Sequence, residues 1–440
     1  MAWIEDYMRK RMSAAKALEA VQSGARVWIQ SGCGTPSTLV DALVARAPLL
    51  HDVEVVHIMT LGSAEYTRPE HEGHFRHRGL FLGANTRAAA AAGRADYTPI
   101  FLSEIEALFD NGSMPLDVVL MQVSPPDAHG FVSLGTTVGC TLSAARQAPL
   151  VIAEVNREMP RTHGDTFLHV SRLSTVVETS RPLEELHLEH STELHMRVAR
   201  NVASLIPDGA TLQTGIGGIP EAVLKCLDGK RDLGIHSEMV PDGIIELMEA
   251  GVINGERKSL HRGKVVAGFV LGTRRLFDFI DDNPSFEFRL VSYTNDPFVV
   301  AQNDRMVAIN SALQVDLTGQ VCADSIGTKP YSGFGGQIDF IRGAARSRGG
   351  VAIIALPSMA LNDTVSRIVP VLEPGAGVVT SRADVHYVVT EHGIAYLHGK
   401  SLRERAEALI AVADPRFQQE LEDFALRSHY LERERTGVHA

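Results

Sequence analysis

The sequence predicts an α/β fold with two similar α/β domains in tandem, each built on a mostly parallel sheet. Short runs of valine, isoleucine and leucine alternate with helical stretches along the chain. Buried apolar strands that alternate with helices are typical of parallel sheets covered on both faces. The strand-like runs are residues 118–121, 151–153, 265–269, 351–355 and 385–389, and the helical stretches include 86–93 and 243–250.

An internal repeat predicts that this fold occurs twice. Residues 22–43 and 207–224 each follow a helical pattern, the first capped by Ser13, and each predicts a Gly-Ala turn, a short strand, a glycine loop and a proline-led helix. A second match pairs residues 127–132 with 316–321, through aspartate, glycine and valine at the same offsets. In both matches the copies are about 185 to 189 residues apart, which indicates two similarly folded halves.

The boundary between the halves is predicted near residue 188. A chain of 440 residues is too long for one ordinary core at roughly 150 residues per domain. Proline and charged residues interrupt the apolar pattern at 181–185. We therefore expect an N-terminal domain over residues 1–188 and a C-terminal domain over residues 189–440.

Composition excludes several classes of protein. The hydrophobic fraction of 45% and the charged fraction of 22% are ordinary for a folded globular chain. A formal net charge of -11 makes nucleic acid an unlikely partner. The sequence contains no run of 18 apolar residues, so no membrane-spanning helix is predicted. Charged residues near the N-terminus disfavour a secretory signal, and a cytoplasmic location is expected. The four cysteines lie far apart, so neither a disulfide framework nor a zinc site is expected.

The first candidate site is the glycine loop of residues 213–220. A strand is followed by Gly215, Gly217 and Gly218, and then by Ile219 and Pro220, which opens a helix. Glycine lets a ligand approach the backbone, and N–H groups at a helix start can hold an anion. The loop lacks the third glycine of a dinucleotide fingerprint and the lysine of a P-loop. A tight turn alone would also use glycine, so this segment leaves both interpretations open.

Glu238 is the second candidate. Residues 233–238 predict a strand that ends at this carboxylate, after which Asp242 could cap the next helix. Ligands of open α/β sheets bind beyond the carboxyl ends of the strands. The alternative is an ordinary glutamate that is solvated or ion-paired. A third glycine cluster, residues 331–340, exposes backbone at Gly335 and Gly336, while Phe334 and Phe340 look like packing residues.

Together these segments resemble class I coenzyme A transferases, in the acetyl-CoA hydrolase/transferase branch that contains 4-hydroxybutyrate and butyrate:acetate CoA-transferases. The motifs that carry the resemblance are GIGGIPEAV, LGIHSEMVPDG, SGFGGQIDFIRGAARS and VVTEHGIAYLHGKSLRERA. Their order along nearly the whole chain is far more specific than any glycine motif. The resemblance implies a CoA-transferase, NagB-like fold, at least a homodimer, and coenzyme A as a substrate in acyl-CoA form with no tightly bound cofactor.

The resemblance also implies site residues. Glu238 would be the covalent nucleophile, the Gly336 N–H would help to form an oxyanion hole, and Asn295 would lie next to the carboxylate. The CoA-binding residues would be Gly215, Gly217, Gly218, Ile219, Pro220, Ser332, Gly335 and Gly336. The implied reaction moves CoA between acids such as 4-hydroxybutyrate, butyrate and acetate through a glutamyl-CoA thioester. An acyl-CoA hydrolase and a non-catalytic CoA-binding protein are the alternatives.

Glutamate suits this chemistry because its carboxyl, with an ordinary pKa near 4.3, is ionised at neutral pH and requires no general base.

Other motifs carry weaker hypotheses. His71, His74 and His77 recur at intervals of three but do not form HExxH, so we favour a loop, near the acid-binding side, over a metal site. Glu391 and the histidine after it resemble an acid/base pair, but a packing role is favoured. Cys33 lies in the N-terminal counterpart of the glycine loop, where neither a base nor a device that lowers its pKa is visible.

Overall fold

The computed structural model describes residues 2–187 and 191–432. We call these ranges the N-terminal half and the C-terminal half. The predicted boundary near residue 188 lies outside the described residues. In neither half does a described helix combine the length and the apolar character needed to cross a bilayer.

The N-terminal half alternates strands and helices. Its strands are β1 (Arg26–Ile29), β2 (Val53–His57), β3 (Phe75–Gly79), β4 (Ala95–Tyr97), β5 (Val118–Val123), β6 (Phe131–Ser133), β7 (Leu150–Asn156), β8 (Phe167–His169) and β9 (Thr175–Thr179). Its α-helices are α1 (Ala2–Lys10), α2 (Ala14–Leu18), α3 (Ser37–Ala45), α4 (Arg87–Ala91), α5 (Ile105–Asp110) and α6 (Thr141–Gln147). Short 3-10 helices occur at Ala47–Leu49, Glu65–Thr67, Pro69–His71, Leu102–Glu104 and Val170–Arg172.

The C-terminal half is built in the same way. Its strands are β10 (Thr211–Gln213), β11 (Gly234–Val240), β12 (Val265–Val270), β13 (Phe286–Phe288), β14 (Met306–Ser311), β15 (Gln314–Asp316), β16 (Val321–Cys322), β17 (Ser325–Ile326), β18 (Lys329–Pro330), β19 (Val351–Ala355), β20 (Met359–Ala360), β21 (Val365–Ser366), β22 (Ile368–Val369), β23 (Tyr387–Thr390) and β24 (Gly393–Tyr396). Its helices are α7 (Glu193–Ser204), α8 (Gly218–Lys225), α9 (Ile244–Glu249), α10 (Arg274–Ile280), α11 (Val291–Thr294), α12 (Pro297–Val300), α13 (Gln337–Arg346), α14 (Leu402–Ala411) and α15 (Pro415–Arg427).

The two main sheets share one topology. The first has the order β4-β3-β2-β1-β5-β7-β9, and the second has the order β13-β12-β11-β10-β14-β19-β23-β24. The pairs are parallel except for β23 with β24, which is antiparallel. In each sheet the strand order reverses beside its first strand, β1 or β10. Open α/β sheets bind ligands at such switch points. The two mostly parallel sheets with their helices confirm the predicted α/β fold class.

The second sequence match also adopts one conformation twice. The Asp127 carboxylate accepts hydrogen bonds from the N–H groups two and four residues later, and the Asp316 carboxylate does the same. Gly130 and Gly319 have positive φ angles of 84° and 93°, which favour glycine. The repeat therefore extends beyond the sheets to individual turns.

Register identifies the N-terminal counterpart of Glu238. Gln30 follows β1 and Gln213 ends β10, and each side-chain oxygen accepts an N–H from the neighbouring central strand. Gly32 then corresponds to Gly215. Gly32 forms a parallel β-bridge with Thr60. Continuing the register of β10 and β11 along both strands places Gly215 opposite Glu238. The position that carries a carboxylate in one half carries Thr60 in the other.

Two local predictions around Glu238 were wrong. The strand does not end at this residue, because Met239 and Val240 continue β11 by pairing with Phe269 and Val270 of β12. Asp242 does not cap α9, whose N-cap is a glycine. Its carboxylate instead accepts hydrogen bonds from the N–H (3.0 Å) and the hydroxyl (2.6 Å) of Thr273, so it anchors the start of α10.

The halves meet along β12. The N–H groups of Val138 and Gly139 both donate to Gly268 O (3.2 and 3.1 Å), and Val270 N donates to Thr136 O (2.9 Å). A loop of the N-terminal half is thus hydrogen-bonded to the strand next to β11. Apolar residues of both halves belong to one continuous buried cluster around this contact.

Candidate active site

The carboxylate of Glu238 lies between a side-chain donor and the start of a helix. Asn295, fully buried after α11, donates from Nδ2 to Glu238 Oε2 at 2.9 Å. Gly336, the N-cap of α13, lies against the same carboxylate. Burial raises the pKa of Glu238, and the Asn295 amide and the Gly336 backbone N–H lower it in part. The site therefore contains an oriented carboxylate that is partly withdrawn from water.

Gly336 is a glycine for reasons of space. A Cβ there would overlap Glu238 Oε2 and Asn295 Nδ2. Its φ of -97° is accessible to any residue, so the backbone conformation makes no demand for glycine. The absence of a side chain is what lets the start of α13 approach the carboxylate closely.

A cavity of about 130 Å³ opens at Glu238 and is shared by both halves. The N-terminal half supplies residues that lie within β1 or follow the carboxyl ends of β1, β2 and β3, namely Trp28, Ser31, Gly32, Ile58, Met59 and Phe81. The C-terminal half adds Phe269 and Leu271 beside Glu238. The lining is mostly apolar, so a ligand that enters it loses contact with water.

Two of the predicted CoA-binding residues, Gly215 and Gly335, line this cavity. Gly217 has a φ of 113° and precedes α8, whose first turn contains the other three predicted residues of the loop. Ser332 does not line the cavity, because its hydroxyl donates to Ala323 O at 2.9 Å. Residues 217–220 do not line the cavity either, so their CoA-binding roles and that of Ser332 stay predictions.

One segment of the N-terminal half contacts both elements that carry the donors. We call residues 102–106 the bridging segment. Leu102 N donates to Gly335 O at 3.1 Å. Ser103 donates from its N–H (3.2 Å) and hydroxyl (2.9 Å) to the buried carboxyl of Asp339, in the first turn of α13. These bonds fix the Gly336 donor from the opposite half.

The same segment also fixes the helix that precedes Asn295. The buried Glu106 accepts hydrogen bonds from the N–H and the hydroxyl of Ser292, both at 3.0 Å, at the start of α11. Sequence reasoning missed Ser103, Glu106 and Asp339. Because the partners are separated by 186 and 236 residues, no local pattern could have indicated these pairs.

Comparison with known proteins agrees with this geometry. Models of the acetyl-CoA hydrolase/transferase N-terminal and C-terminal domains match residues 1–183 and 272–425. A Clostridium kluyveri protein named 4-hydroxybutyrate coenzyme A transferase is 51% identical over 421 residues, which cover 96% of this chain and 98% of that protein. The chain belongs to the acetyl-CoA hydrolase/transferase family.

Two further relatives are similar over most of their length. A Fasciola hepatica protein named succinyl-CoA:acetate/propanoyl-CoA:succinate CoA transferase is 48% identical, covering 92% of this chain and 85% of that protein. A solved structure of 4-hydroxybutyrate CoA-transferase from Porphyromonas gingivalis has a TM-score of 0.83 at 39% identity, covering 97% of this chain and 100% of that one. This family member is accordingly an enzyme of the CoA-transferase class.

The loop favoured for His71, His74 and His77 is only partly correct, because Phe75–Gly79 forms β3 and His77 lies in this strand. His74 donates from Nδ1 to Leu50 O (2.7 Å), and His77 donates to Val55 O (3.0 Å) and stacks on His57. Residues 71–78 do not line the Glu238 cavity. They precede β3 or lie within it, whereas the lining residues from this part of the sheet, such as Phe81, follow the carboxyl ends of the strands. Within residues 2–187 and 191–432, no group of three or more metal-ligating side chains was found.

Two other candidates have structural environments. Burial raises the pKa of Cys33 to about 12, so this thiol is not an activated nucleophile. Glu391 accepts hydrogen bonds from the N–H (2.9 Å) and hydroxyl (2.6 Å) of Ser358 and does not line the cavity. A packing role, as favoured from the sequence, accounts for these bonds.

Asp339 should make the stability of this transferase depend on pH. Burial raises its pKa to about 7 from an ordinary 3.8, although the Ser103 donors lower it. Between these two values the folded state keeps a proton that the unfolded state loses, so the free energy of unfolding falls as pH rises. Above pH 7 the buried carboxyl of Asp339 is ionised in the folded state, and the loss of unfolding free energy from this group is complete. Asp339→Asn should therefore gain stability relative to wild type as pH is raised from 5 to 8 in urea titrations.

The exposed Asp423→Asn, on α15, is the matched control and should show no such relative gain. Parallel stability curves for wild type and Asp339→Asn over this pH range would contradict the prediction.

Proposed function

We propose that this chain transfers CoA between short-chain carboxylic acids, such as 4-hydroxybutyrate, butyrate and acetate, by a ping-pong reaction through a glutamyl-CoA thioester on Glu238. The names of its relatives support CoA transfer and include 4-hydroxybutyrate among the acids. The observation that carries the covalent step is the Glu238 carboxylate, which is oriented by Asn295 and Gly336 at an apolar cavity.

The reaction needs no group beyond the carboxylate and its donors. A Glu238 oxygen attacks the thioester carbonyl of acyl-CoA, the new C–O bond forms, and the C–S bond breaks to release CoA thiolate. The thiolate then attacks the glutamyl carbonyl of the mixed anhydride. The new C–S bond gives glutamyl-CoA, and the acyl group leaves as its carboxylate. A second acid carries out the reverse sequence.

The donors serve both ends of this chemistry. While Glu238 is free, Asn295 and the Gly336 N–H bind its carboxylate and favour the ionised form. When its carbonyl is attacked, the same fixed donors face the oxygen that becomes negative. An oriented donor in a site shielded from water is worth about 2.7–4 kcal/mol to such a transition state. Partial burial keeps the carboxylate more basic than an exposed one, which increases its nucleophilicity.

An apolar cavity also protects the activated intermediates. Both the anhydride and the thioester are lost if water attacks them, so a lining of Trp28, Met59, Phe81 and Phe269 favours transfer over hydrolysis. CoA is bound here as a substrate.

We also propose that residues 1–188 and 189–440 form separate domains and that the chain forms at least a homodimer in solution.

Two measurements test the proposed function. Incubation with acyl-CoA and no acceptor acid should add CoA to a peptide that contains Glu238, as detected by mass spectrometry. Release of free CoA should stay slow without acetate, and acetyl-CoA should form when acetate is supplied. An unmodified Glu238 peptide during demonstrated turnover would contradict the covalent role. Equal CoA release with and without acetate would identify a hydrolase, and binding without exchange would identify a CoA-binding protein.

A further inference from the structure

The side chain of Asn295 can assist Glu238 in one orientation only. A carboxamide has a donor end and an acceptor end of nearly the same size, so a half-turn about its last bond exchanges them. In the structure Nδ2 faces Glu238 Oε2 at 2.9 Å. After a half-turn, Oδ1 would face the carboxylate and would repel each oxyanion that forms there. The reaction therefore depends on what holds this amide.

The hydroxyl of the preceding residue holds it. Thr294 Oγ1 donates to Asn295 Oδ1 at 2.8 Å, and within the described part of the chain this is the one hydrogen bond that Oδ1 accepts. Leu290 O, at 3.5 Å from Oγ1, is too far away to compete for the proton. Thr294 and Asn295 are fully buried, so bulk water does not replace a lost partner. Because Thr294 does not line the cavity, it can act on the reaction only through its neighbour.

Thr294 is fixed in turn by the strand that carries the nucleophile. Its backbone carbonyl accepts a hydrogen bond from His236 Nε2 at 2.9 Å. His236 lies two residues before Glu238 in β11, so the two side chains project from the same face of the sheet. Burial lowers the pKa of His236 to about 3, so the ring stays neutral, with its proton on Nε2. One strand thus positions both the carboxylate and the residue that orients its donor.

The rest of α11 is anchored from other directions. With four residues, this helix is too short to be stable without tertiary contacts. Glu106 of the N-terminal half holds Ser292. His261 Nε2 meets the Tyr293 hydroxyl at 2.6 Å. Residues 292, 293 and 294 are therefore held by three separate elements, which fixes the backbone that leads to Asn295.

The amide must stay in place while the charge of Glu238 changes. The ionised carboxylate attracts Asn295 Nδ2, but the anhydride and the thioester replace it by an uncharged carbonyl, which is a weaker acceptor. The hydrogen bond from Thr294 to Oδ1 does not depend on that charge. A hydrogen bond accepted at Oδ1 also polarises the amide and strengthens Nδ2 as a donor. The donor therefore stays directed at the position of the next oxyanion.

We propose that Thr294 is a positioning residue of this transferase, whose hydroxyl keeps the Asn295 amide turned with Nδ2 towards Glu238 through every step of CoA transfer. This inference rests on the proposed function, which gives Asn295 an oxyanion to bind. Thr294 thus affects the rate of transfer without contact to the substrate.

Thr294→Val and Thr294→Ser test this role, with acyl-CoA and acetate as substrates. Valine matches threonine in shape but lacks the hydroxyl, whereas serine keeps the hydroxyl and loses the methyl group. Thr294→Val should lower kcat about 10- to 100-fold, because the oxyanion donor is misdirected. KM for acyl-CoA should change by less than about twofold, since the lost interaction acts in the transition state. Thr294→Ser should keep a kcat near that of wild type.

A double-mutant cycle separates positioning from general stability. If Thr294 acts through Asn295, Thr294→Val should change kcat by less than about twofold in an Asn295→Ala background. A residue that only stabilises the fold would lower kcat by the same factor in both backgrounds. If Thr294→Val fails to fold, Thr294→Ala replaces it in both measurements, because alanine and serine both lose the methyl group and only alanine lacks the hydroxyl.

Thr390→Val is the matched control. Thr390 is also fully buried in the C-terminal half, and its hydroxyl donates to Val412 O at 2.6 Å. It does not line the cavity. Thr390→Val loses a buried hydrogen bond, as Thr294→Val does, but it should keep the wild-type kcat.

The inference would be overturned by a wild-type kcat in Thr294→Val, by equal kcat values for Thr294→Ser and the variant without the hydroxyl, or by an undiminished effect of Thr294→Val in the Asn295→Ala background. Failure of wild type to form the Glu238 adduct or to transfer CoA would instead overturn the proposed function.

Discussion

Replacing Glu238 by alanine should lower CoA transfer by at least about 10³-fold and abolish the CoA adduct on the Glu238 peptide. The variant removes the atom that attacks the thioester, and neither Asn295 nor the Gly336 N–H can substitute as a nucleophile. Glu238→Gln, which keeps the shape of the side chain, should be impaired as severely. Exchange between acyl-CoA and acetate, followed by chromatography, measures the effect.

A surface glutamate provides the control for this result. Glu249→Gln, at the exposed end of α9, should exchange CoA at the wild-type rate. Transfer by Glu238→Ala within tenfold of wild type, in a folded protein, would remove Glu238 from the mechanism.

Gly336→Ala should reduce kcat/KM by about 10²- to 10³-fold, and Gly336→Val should reduce it further. The added Cβ overlaps both Glu238 Oε2 and Asn295 Nδ2, so the carboxylate and its donors must move apart. A shift of about 1 Å at a reacting group, or loss of one oxyanion donor, reduces rates by this order. Steady-state kinetics on the folded variants measures the loss.

The matched control is Gly229→Ala, where an added Cβ meets no atom within 4 Å. It should retain wild-type kinetics. Because φ at Gly336 suits any residue, its alanine variant should also fold, and a melting temperature near that of wild type would separate a displaced site from a misfolded chain. Normal turnover in Gly336→Val would exclude Gly336 from the oxyanion hole.

Local sequence patterns predicted the elements around the site but not their ends. The sequence of residues 233–238 indicated a strand that ends at Glu238, yet β11 continues to Val240 because β12 offers pairing partners there. Asp242 had the residue type of a helix cap, but Thr273 lies within reach and takes its hydrogen bonds. In both cases a partner that is distant in sequence decided the outcome.

The shared cavity was still less accessible to sequence reasoning. Ser103 and Glu106 act on Asp339 and Ser292 across the two halves, and their residue types are ordinary for surface polar positions. Asn295 was anticipated only through family resemblance. Its 2.9 Å hydrogen bond to Glu238 depends on how α11 packs against β11 and β12, which no periodicity specifies.

The duplication has left the two halves under different constraints. At the position equivalent to Glu238, Thr60 has a hydroxyl that meets the Tyr66 hydroxyl at 3.2 Å and cannot act as an ionised nucleophile. Mutations of the residues that the N-terminal half contributes to the cavity, for example Met59 or Phe81, can reshape the acyl site while the reactive carboxylate and its donors stay in place. Such a division makes the enzyme evolvable, because selectivity can drift in one copy while the other conserves the chemistry.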